Sequence, residues 1–231
     1  MGKLLNIKSF IHESDITIGL ANKIAYHFCD RMFTTFSLEG LKKSKRVGSV
    51  IDSSANCVDL PFIDNKPVLL ITGGSLGAQT LNDFVEKNKN CLLEKFNVIH
   101  ISGDKKAKIK TTNYWNIDYT KDGLTPFIKS ADLIISRAGS NSIFEILNEK
   151  KLNILVPLPL SSSRGDQIKN AQYFQEKGYL YIISDDELTM RSFEAAKAYL
   201  DTNKDMIYDN LINSNETIST KKFFELIKKE L

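Results

Sequence analysis

The sequence predicts an α/β fold in which a parallel sheet is built from strands joined by helices. Short apolar runs, typical of strands buried on both faces, alternate with amphipathic helical segments almost from end to end. Most of these runs stop at a glycine, serine or proline, where a strand gives way to a loop. The 231 residues are 42% hydrophobic and 26% charged, which is ordinary for a globular protein of roughly one to two domains.

The first block of the chain predicts a single βαβ unit. Its strands are expected at residues 9–12 and 31–35, with a helix over residues 17–28 between them. The stretch 52–61 has little periodicity and contains a proline, so it is interpreted as a linker. We therefore predict a first domain over residues 1–52 and a second over residues 53–231.

The second block predicts a complete Rossmann-like domain with a parallel sheet. Strands are expected at 68–72, 97–102, 132–136 and 153–157, and helices at 78–95, 124–130, 140–149 and 166–177. The final forty residues are expected to form helices only.

Composition excludes several classes of function. Lys+Arg number 31 against 28 Asp+Glu, a net charge of +3 with no basic stripe, so nucleic acid is not an expected partner. The cysteines, Cys29, Cys57 and Cys91, are odd in number and lack metal spacing, which favours a reducing compartment and no metal site. Neither a membrane-spanning run nor a signal peptide is evident, so the expected location is the cytoplasm.

The first candidate site is the glycine-rich turn at residues 73–78, between a buried strand and a helix. Backbone amides around Gly74, Ser75 and Leu76, together with the helix N-terminus, favour phosphate. The Gly-Gly-x-x-Gly spacing matches neither the dinucleotide fingerprint nor the phosphate loop of nucleotide hydrolases. A tight turn without a ligand is the alternative.

The second candidate is the turn at residues 136–145. Ser140 or Asn141 is expected to cap a helix, leaving free amides near Ser142 facing outward. Glu145 lies about one and a half turns into that helix. Two interpretations of Glu145 stay open: a carboxylate that accepts two ribose hydroxyls, or an exposed helix acid.

The third candidate is the loop and helix start at residues 157–171, after the carboxyl end of a strand, where open α/β sheets bind ligands. Asp166, Gln167 and Asn170 offer directional donors and acceptors suited to sugar hydroxyls. His12 also follows a strand, as either a functional or a structural group.

Taken together, these motifs closely resemble the MurG family of UDP-N-acetylglucosamine (UDP-GlcNAc) transferases, most of all its Gram-positive members. These enzymes add GlcNAc to the undecaprenyl-diphosphate-linked muramyl-peptide of peptidoglycan. The resemblance implies a GT-B arrangement, with two Rossmann-like domains facing across a cleft and the C-terminal one holding the nucleotide sugar. The matching segments are His-Glu-Ser-Asp at 12–15, Gly-Leu-Ala-Asn-Lys at 19–23, Gly-Gly-Ser-Leu-Gly-Ala at 73–78, Ser-Arg-Ala-Gly-Ser-Asn at 136–141 and Ser-Arg-Gly-Asp-Gln at 163–167 with Asn170.

The resemblance implies roles for individual residues, with UDP-GlcNAc as a substrate and no cofactor. His12 is the matched histidine near the cleft and the candidate general base. The implied donor contacts are Gly74, Ser75 and Leu76 on the diphosphate, Ser140, Asn141 and Ser142 on the diphosphate and sugar, Glu145 on the ribose, Thr120 at the uracil, and Asp166, Gln167, Asn170 and Asp15 at the sugar.

The chain departs from the family pattern in two respects. It begins inside the last part of the family's first domain, so residues 1–52 are expected to be a remnant of the acceptor- and membrane-binding domain. Asp52 stands where the family usually has an arginine that helps to hold the diphosphate. The helix at residues 18–28 should therefore expose its apolar face.

We expect an inverting transfer of GlcNAc from UDP-GlcNAc to the lipid-linked muramyl-pentapeptide. The alternative is a non-catalytic UDP-GlcNAc-binding subunit, or a truncated fragment, that needs a separate chain to supply the acceptor domain. Peripheral attachment to the inner face of the cell membrane is left open.

Overall fold

The computed structural model describes residues 7–52, 54–73, 79–103, 109–118, 120, 123–163 and 165–231. The chain forms two compact units. The first consists of Met1–Ser54 and Ser214–Leu231, and the second of Ala55–Asn213. The first crossing between units therefore falls inside the stretch 52–61 that the sequence predicts to be a linker, whereas the second crossing, at residues 213–214, was not predicted.

The first unit opens with a parallel sheet of order β1-β2-β3. β2 is the central strand, and its last three residues, including Met32 and Phe33, are therefore buried. The elements are β1 (Phe10–Glu13), α1 (Leu20–Tyr26), β2 (Arg31–Thr34), β3 (Ser44–Arg46) and β4 (Ser49–Ile51).

The second unit contains a parallel sheet of order β10-β9-β8-β5-β6-β7. This order confirms the predicted Rossmann-like fold, because strands are added first on one side of β5 and then on the other. Its strands are β5 (Val68–Thr72), β6 (Asn97–Ile101), β7 (Tyr114–Ile117), β8 (Leu133–Ser136), β9 (Leu152–Leu155) and β10 (Tyr181–Ile182).

Helices cover both faces of this sheet, which explains why its strands are continuous apolar runs. On one face, Leu70 and Ile134 pack in a buried cluster with Ile128 of α3 and Ile146 of α4. Elsewhere in the unit, Phe193 of α6 packs edge-on against Phe84 of α2. The helices are α2 (Gln79–Lys95), α3 (Thr125–Ser130), α4 (Ser140–Asn148), α5 (Asp166–Glu176), α6 (Met190–Thr202) and α7 (Lys204–Ile212), with a 3-10 turn at Asp185–Glu187.

The end of the chain returns to the first unit. β11 (Thr217–Ser219) pairs in parallel with β4, and α8 (Thr220–Glu230) follows it. Phe223 of α8 packs edge-on against Phe33, and Glu230 pairs with Arg31 at 3.0 Å. The expectation that the final forty residues form helices only is therefore wrong at β11, because pairing with β4 favours an extended segment there.

The predicted exposure of the first helix is confirmed. Leu20 and Ile24 share one face of α1 because they lie four residues apart, and Phe28 lies two residues beyond the end of the helix; the three are 74%, 58% and 65% exposed. None of the residues of α1 is buried. A continuous exposed apolar stripe of this kind favours association with another surface.

We therefore expect the isolated chain to self-associate, with an apparent mass in size-exclusion chromatography that rises with protein concentration. Ile24→Lys places a charge in the middle of the stripe and should reduce this association. Ile63→Lys, at an 81% exposed site in the other unit, is the matched control. A monodisperse monomer at high concentration would contradict the expectation.

Candidate functional site

The candidate site begins between β5 and β8. At this point the strand order reverses, because β6 and β7 lie on one side of β5 and β8 to β10 on the other. β5 and β8 are neighbours, and their last residues, Thr72 and Ser136, are paired across the ladder. Both carboxyl ends therefore open at one point of the sheet edge, the place where open α/β sheets bind ligands. The predicted glycine-rich turn follows β5, but Gly74, Ser75 and Leu76 lie outside the described residues.

The turn after β8 leaves the start of α4 without a side-chain cap. The N-cap residue is Gly139, and it makes no side-chain capping hydrogen bond. The expectation that Ser140 or Asn141 caps the helix is wrong, because both residues already lie inside its first turn together with Ser142. First-turn amides of a helix have no partner within the helix, so this end attracts an anion.

Glu145 lies further along α4 and is half-buried rather than exposed. Its Oε2 accepts a hydrogen bond from Thr125 Oγ1 at 3.0 Å, and Thr125 is the first residue of α3. Burial raises the pKa of the Glu145 carboxyl, and the hydrogen bond from Thr125 partly offsets that rise. The structure thus orients the carboxylate instead of leaving it as a freely solvated helix acid.

The third predicted turn is fastened to the start of α5 by Gln167. Its Oε1 accepts a hydrogen bond from the backbone N–H of Leu158 at 3.1 Å. Asn170 Nδ2 lies 3.5 Å from the carbonyl oxygen of Ala138, in the turn that precedes α4. Asp166 is exposed at the N-terminus of α5. The structure therefore brings the second and third predicted turns together.

Sequence reasoning assigned no role to Arg137, which is 5% exposed and holds this edge of the sheet together. Its Nη1 donates to the carbonyl oxygen of Val156 at 3.0 Å and forms an ion pair with the Asp185 carboxylate. Thr80 Oγ1 donates to the same carboxylate at 3.0 Å. These contacts connect the ends of β8 and β9 with the start of α2. An arginine directly after an apolar strand was the available signal, but its partner lies 48 residues away.

His12 lies in the first unit in an enclosed position. Its ring packs against Phe223 with centroids 6.0 Å apart, and its Nε2 is buried with no hydrogen-bond partner among the described residues. Burial lowers the pKa of His12, while a hydrogen bond to the Gly48 backbone and the nearby charge of Glu13 act in the opposite direction. The imidazole is thus neutral at physiological pH and shielded from solvent at Nε2.

Asp15 is exposed in the first unit, on a segment that Glu13 organises. The Glu13 carboxylate, 4% exposed, accepts hydrogen bonds from the N–H groups of Asp15 and Gly19 at 3.1 and 2.8 Å and from Asn22 Nδ2 at 3.0 Å. Burial alone would raise the pKa of Glu13, but these donors outweigh it and hold the pKa below its usual value. Sequence reasoning did not predict this anchoring role.

Thr120 and Asp52 are two further residues to which the sequence analysis gave attention. Thr120 is half-buried and lies three residues beyond the end of β7. Asp52, where the family resemblance led us to expect an arginine, is exposed and accepts a hydrogen bond from the N–H of Ser54 at 3.0 Å.

An open groove of about 840 Å³ lies beside α5, between Leu160, Gln172 and Asp186. None of the predicted ligand-binding residues lines it, so the candidate site depends on strand ends and helix starts instead. In the described part of the chain, no three His, Cys, Asp or Glu side chains are grouped as a metal site would require. The same part contains no helix with the length and apolar character of a membrane span.

Comparison with protein families gives one match over most of the second unit. The profile described as "Glycosyltransferase family 28 C-terminal domain" matches residues 68–231. The UDP-N-acetylglucosamine--N-acetylmuramyl-(pentapeptide) pyrophosphoryl-undecaprenol N-acetylglucosamine transferase of Streptococcus gordonii is 38% identical over 99% of this chain and 67% of its own length. The enzyme of the same name from Streptococcus suis is also 38% identical, over 99% and 68%. The chain thus spans about two thirds of the length of these relatives.

Solved structures show the same fold. The crystal structure of Acinetobacter baumannii MurG has a TM-score of 0.69 and 22% identity, covering 99% of this chain and 68% of that one. A glycosyltransferase of kitacinnamycin has a TM-score of 0.66 and 15% identity, covering 93% and 57%. Both confirm the predicted GT-B type of α/β fold.

Proposed function

Because the chain belongs to glycosyltransferase family 28, we propose that it binds UDP-GlcNAc in its second unit and transfers GlcNAc to a lipid-linked muramyl-pentapeptide. The names of the streptococcal relatives describe this transfer. The acceptor, the partners and the activity of the chain are all part of the proposal, since the match extends over about two thirds of those proteins.

The observation that carries the proposal is the uncapped start of α4 beside the switch point of the sheet, with Glu145 held half-buried further along the same helix. The helix start suits a diphosphate, and the carboxylate suits the vicinal hydroxyls of a ribose. Glu145 lies about one and a half turns beyond the helix start. A nucleoside diphosphate can therefore place its phosphates at the helix start and its ribose at the Glu145 carboxylate.

The remaining donor contacts are proposed from the family resemblance. Asn170 lies next to the second turn, and with Asp166 and Gln167 on the same helix it suits the hydroxyls of the transferred sugar. The proposed contacts are Gly74, Ser75 and Leu76 with Ser140, Asn141 and Ser142 on the diphosphate, Glu145 on the ribose, Thr120 at the uracil, and Asp166, Gln167, Asn170 and Asp15 on the sugar.

The chemistry requires negative charge to be stabilised on the departing UDP while a proton leaves the acceptor hydroxyl. The first-turn amides of α4 supply fixed positive potential where that charge develops. His12 is our candidate base, since its lowered pKa leaves the imidazole unprotonated at neutral pH. Its Nε2 is enclosed, so this role requires a rearrangement that opens the ring to the acceptor.

The second candidate function is donor binding without transfer, as a subunit completed by a separate acceptor-binding chain. The observation that favours it is the small main sheet of the first unit, which has three strands among the described residues. In this case the chain would bind UDP-GlcNAc but release no UDP.

A transfer assay separates the two candidates. Purified chain is incubated with UDP-GlcNAc and a diphospho-lipid-linked muramyl-pentapeptide, and UDP release is followed with and without the acceptor. Acceptor-dependent UDP release supports the transferase, and binding of UDP-GlcNAc without release supports the binding subunit. Failure to bind UDP-GlcNAc would contradict both.

Gln167→Ala should weaken binding of UDP-GlcNAc by about tenfold and leave binding of UDP nearly unchanged, because the only part of the donor that we propose for this amide is the sugar. The measurement is calorimetric titration with each ligand. Gln167→Glu separates the two roles of this side chain, since it keeps an acceptor for the Leu158 N–H but removes the amide donor. Gln172→Ala, on the exposed side of α5, is the control. Equal losses for both ligands would remove the sugar-reading role.

A further inference from the structure

Four hydrogen bonds and the backbone of β7 form a ring of residues between α2, β6 and β7, toward the carboxyl ends of the two strands, with Tyr114 at the start of β7. It joins Asn82 of α2, His100 of β6, Ser102 just beyond β6, and Tyr114 and Asn116 of β7. The four residues from the strands are between 3% and 8% exposed. His100, which looks like a packing residue in the sequence, has a partner on each of its ring nitrogens.

The direction of every bond in this ring follows from the chemistry of its members. Asn82 Nδ2 donates to the Ser102 carbonyl at 3.1 Å, so Asn82 Oδ1 faces His100 Nε2 at 2.9 Å and that nitrogen carries the hydrogen. His100 Nδ1 then accepts from the Tyr114 hydroxyl at 3.0 Å. Ser102 Oγ donates to Asn116 Oδ1 at 2.9 Å.

Burial keeps His100 and Tyr114 in their neutral forms, so the hydrogen bonds keep the directions given above. Burial, with a smaller effect of Lys89, lowers the pKa of His100 to about 4, so the imidazole is neutral at physiological pH. Burial and the charge of Glu86 raise the pKa of Tyr114 to about 12, against the hydrogen bond from Asn116. Lys89 Nζ lies 4.0 Å from the centre of the Tyr114 ring. A satisfied polar network of this kind fixes the elements that it joins.

The proposed function places the nucleobase of the donor at Thr120, three residues beyond the end of β7. Backbone pairing between β6 and β7 continues past the ring, from Gly103 N–H to the Asp118 carbonyl at 2.9 Å, two residues before Thr120. The next helix, α3, begins at Thr125, which holds the Glu145 carboxylate. In the proposed function, the base attached to a ribose at Glu145 therefore lies on the side of Thr120 and the end of β7.

We propose that the ring formed by Asn82, His100, Ser102, Tyr114 and Asn116 sets the selectivity of the donor site for its nucleobase by fixing the ends of β6 and β7. This inference rests on the proposed function and adds the residues that determine which base is accepted. Its members are positioning residues. Directional hydrogen bonds to a base edge require their donors and acceptors to be held within about 0.5 Å.

The test compares binding of UDP and CDP, whose bases differ in the exocyclic group at C4 and in the hydrogen at N3. Tyr114→Phe removes a single hydroxyl and with it the hydrogen bond to His100 Nδ1. It should raise the Kd for UDP by about two- to tenfold and reduce the preference for UDP over CDP by a similar factor. Asn82→Ser opens the ring from α2 and should give the same change if Tyr114→Phe folds poorly.

Leu92→Ala is the matched control, because it destabilises the far end of α2 without touching the ring. It should leave the preference for UDP over CDP unchanged. An unchanged preference in Tyr114→Phe, or equal losses for both nucleotides, would overturn the inference while leaving the proposed function intact. Failure of the unaltered chain to bind any UDP would instead overturn the proposed function and this inference with it.

Discussion

Glu145→Ala is expected to weaken binding of UDP by about 10- to 100-fold, because it removes a charged acceptor for two ribose hydroxyls. The carboxylate is oriented by Thr125 and half-buried, so its hydrogen bonds are little weakened by competing water. UDP-GlcNAc should lose affinity by the same factor, since the sugar does not contact this group. Calorimetric titration with both ligands measures the effect.

Two variants on the same helix make this result specific. Glu145→Gln keeps the shape and one acceptor oxygen, so its loss should be smaller than that of the alanine variant. Glu149→Ala removes an acid at the other end of α4 and should leave UDP binding unchanged. An unchanged Kd for UDP in Glu145→Ala would show that the ribose lies elsewhere.

Gly48→Ala is expected to lower the unfolding free energy of the first unit by about 3 kcal/mol, because a left-handed backbone and a steric clash add together. Gly48 has φ +81°, and a Cβ there would lie 2.6 Å from the carbonyl oxygen of Glu216. That carbonyl also accepts the N–H of Ser49, so it cannot move without loss of the contact between β4 and the end of the chain. Hydrogen exchange of the amides in β2 and β3 measures the change.

Gly40→Ala is the control for backbone strain alone. Its φ is +75°, but a Cβ there meets nothing within 4 Å, so we expect a loss of about 1 kcal/mol. Equal losses in the two variants would show that the approach of Glu216 to Gly48 contributes nothing to stability.

The sequence predicted those parts of the fold that depend on local pattern. The runs at 68–72, 97–102, 132–136 and 153–157 are all strands in the structure, with ends displaced by about two residues at most. Strands buried on both faces require such runs, so composition alone reveals them. β3, with the sequence Ser-Lys-Arg, carries no such signal and exists because β2 offers it a partner.

Contacts between distant parts of the chain were beyond the reach of the sequence. β11 is extended because it pairs with β4, which lies 168 residues earlier. Arg137 follows β8 and Asp185 follows β10, so the two pair only when the sheet brings these strand ends to one edge. Each side chain is unremarkable in its own segment, so no local rule identifies the pair.

In the candidate site, too, local sequence patterns were predicted and contacts between distant segments were not. Glycine, serine and carboxylate residues after strand ends predicted three candidate turns, and the parallel sheet brings the carboxyl ends of the strands that precede them, β5, β8 and β9, to one edge. The sequence did not reveal that α4 begins at Ser140, so that Gly139, and neither Ser140 nor Asn141, is the N-cap residue. It also did not reveal the ring around His100, whose members come from three elements.

The central claim is that the second unit contains a formed site for UDP-GlcNAc. Calorimetric titration of the whole chain with UDP-GlcNAc, UDP-GalNAc and UDP in parallel tests it most directly. We predict saturable binding of UDP and UDP-GlcNAc, with UDP-GlcNAc preferred over UDP-GalNAc because of the sugar contacts that we propose for Asp166 and Gln167. Absence of binding by all three uridine nucleotides would contradict the account.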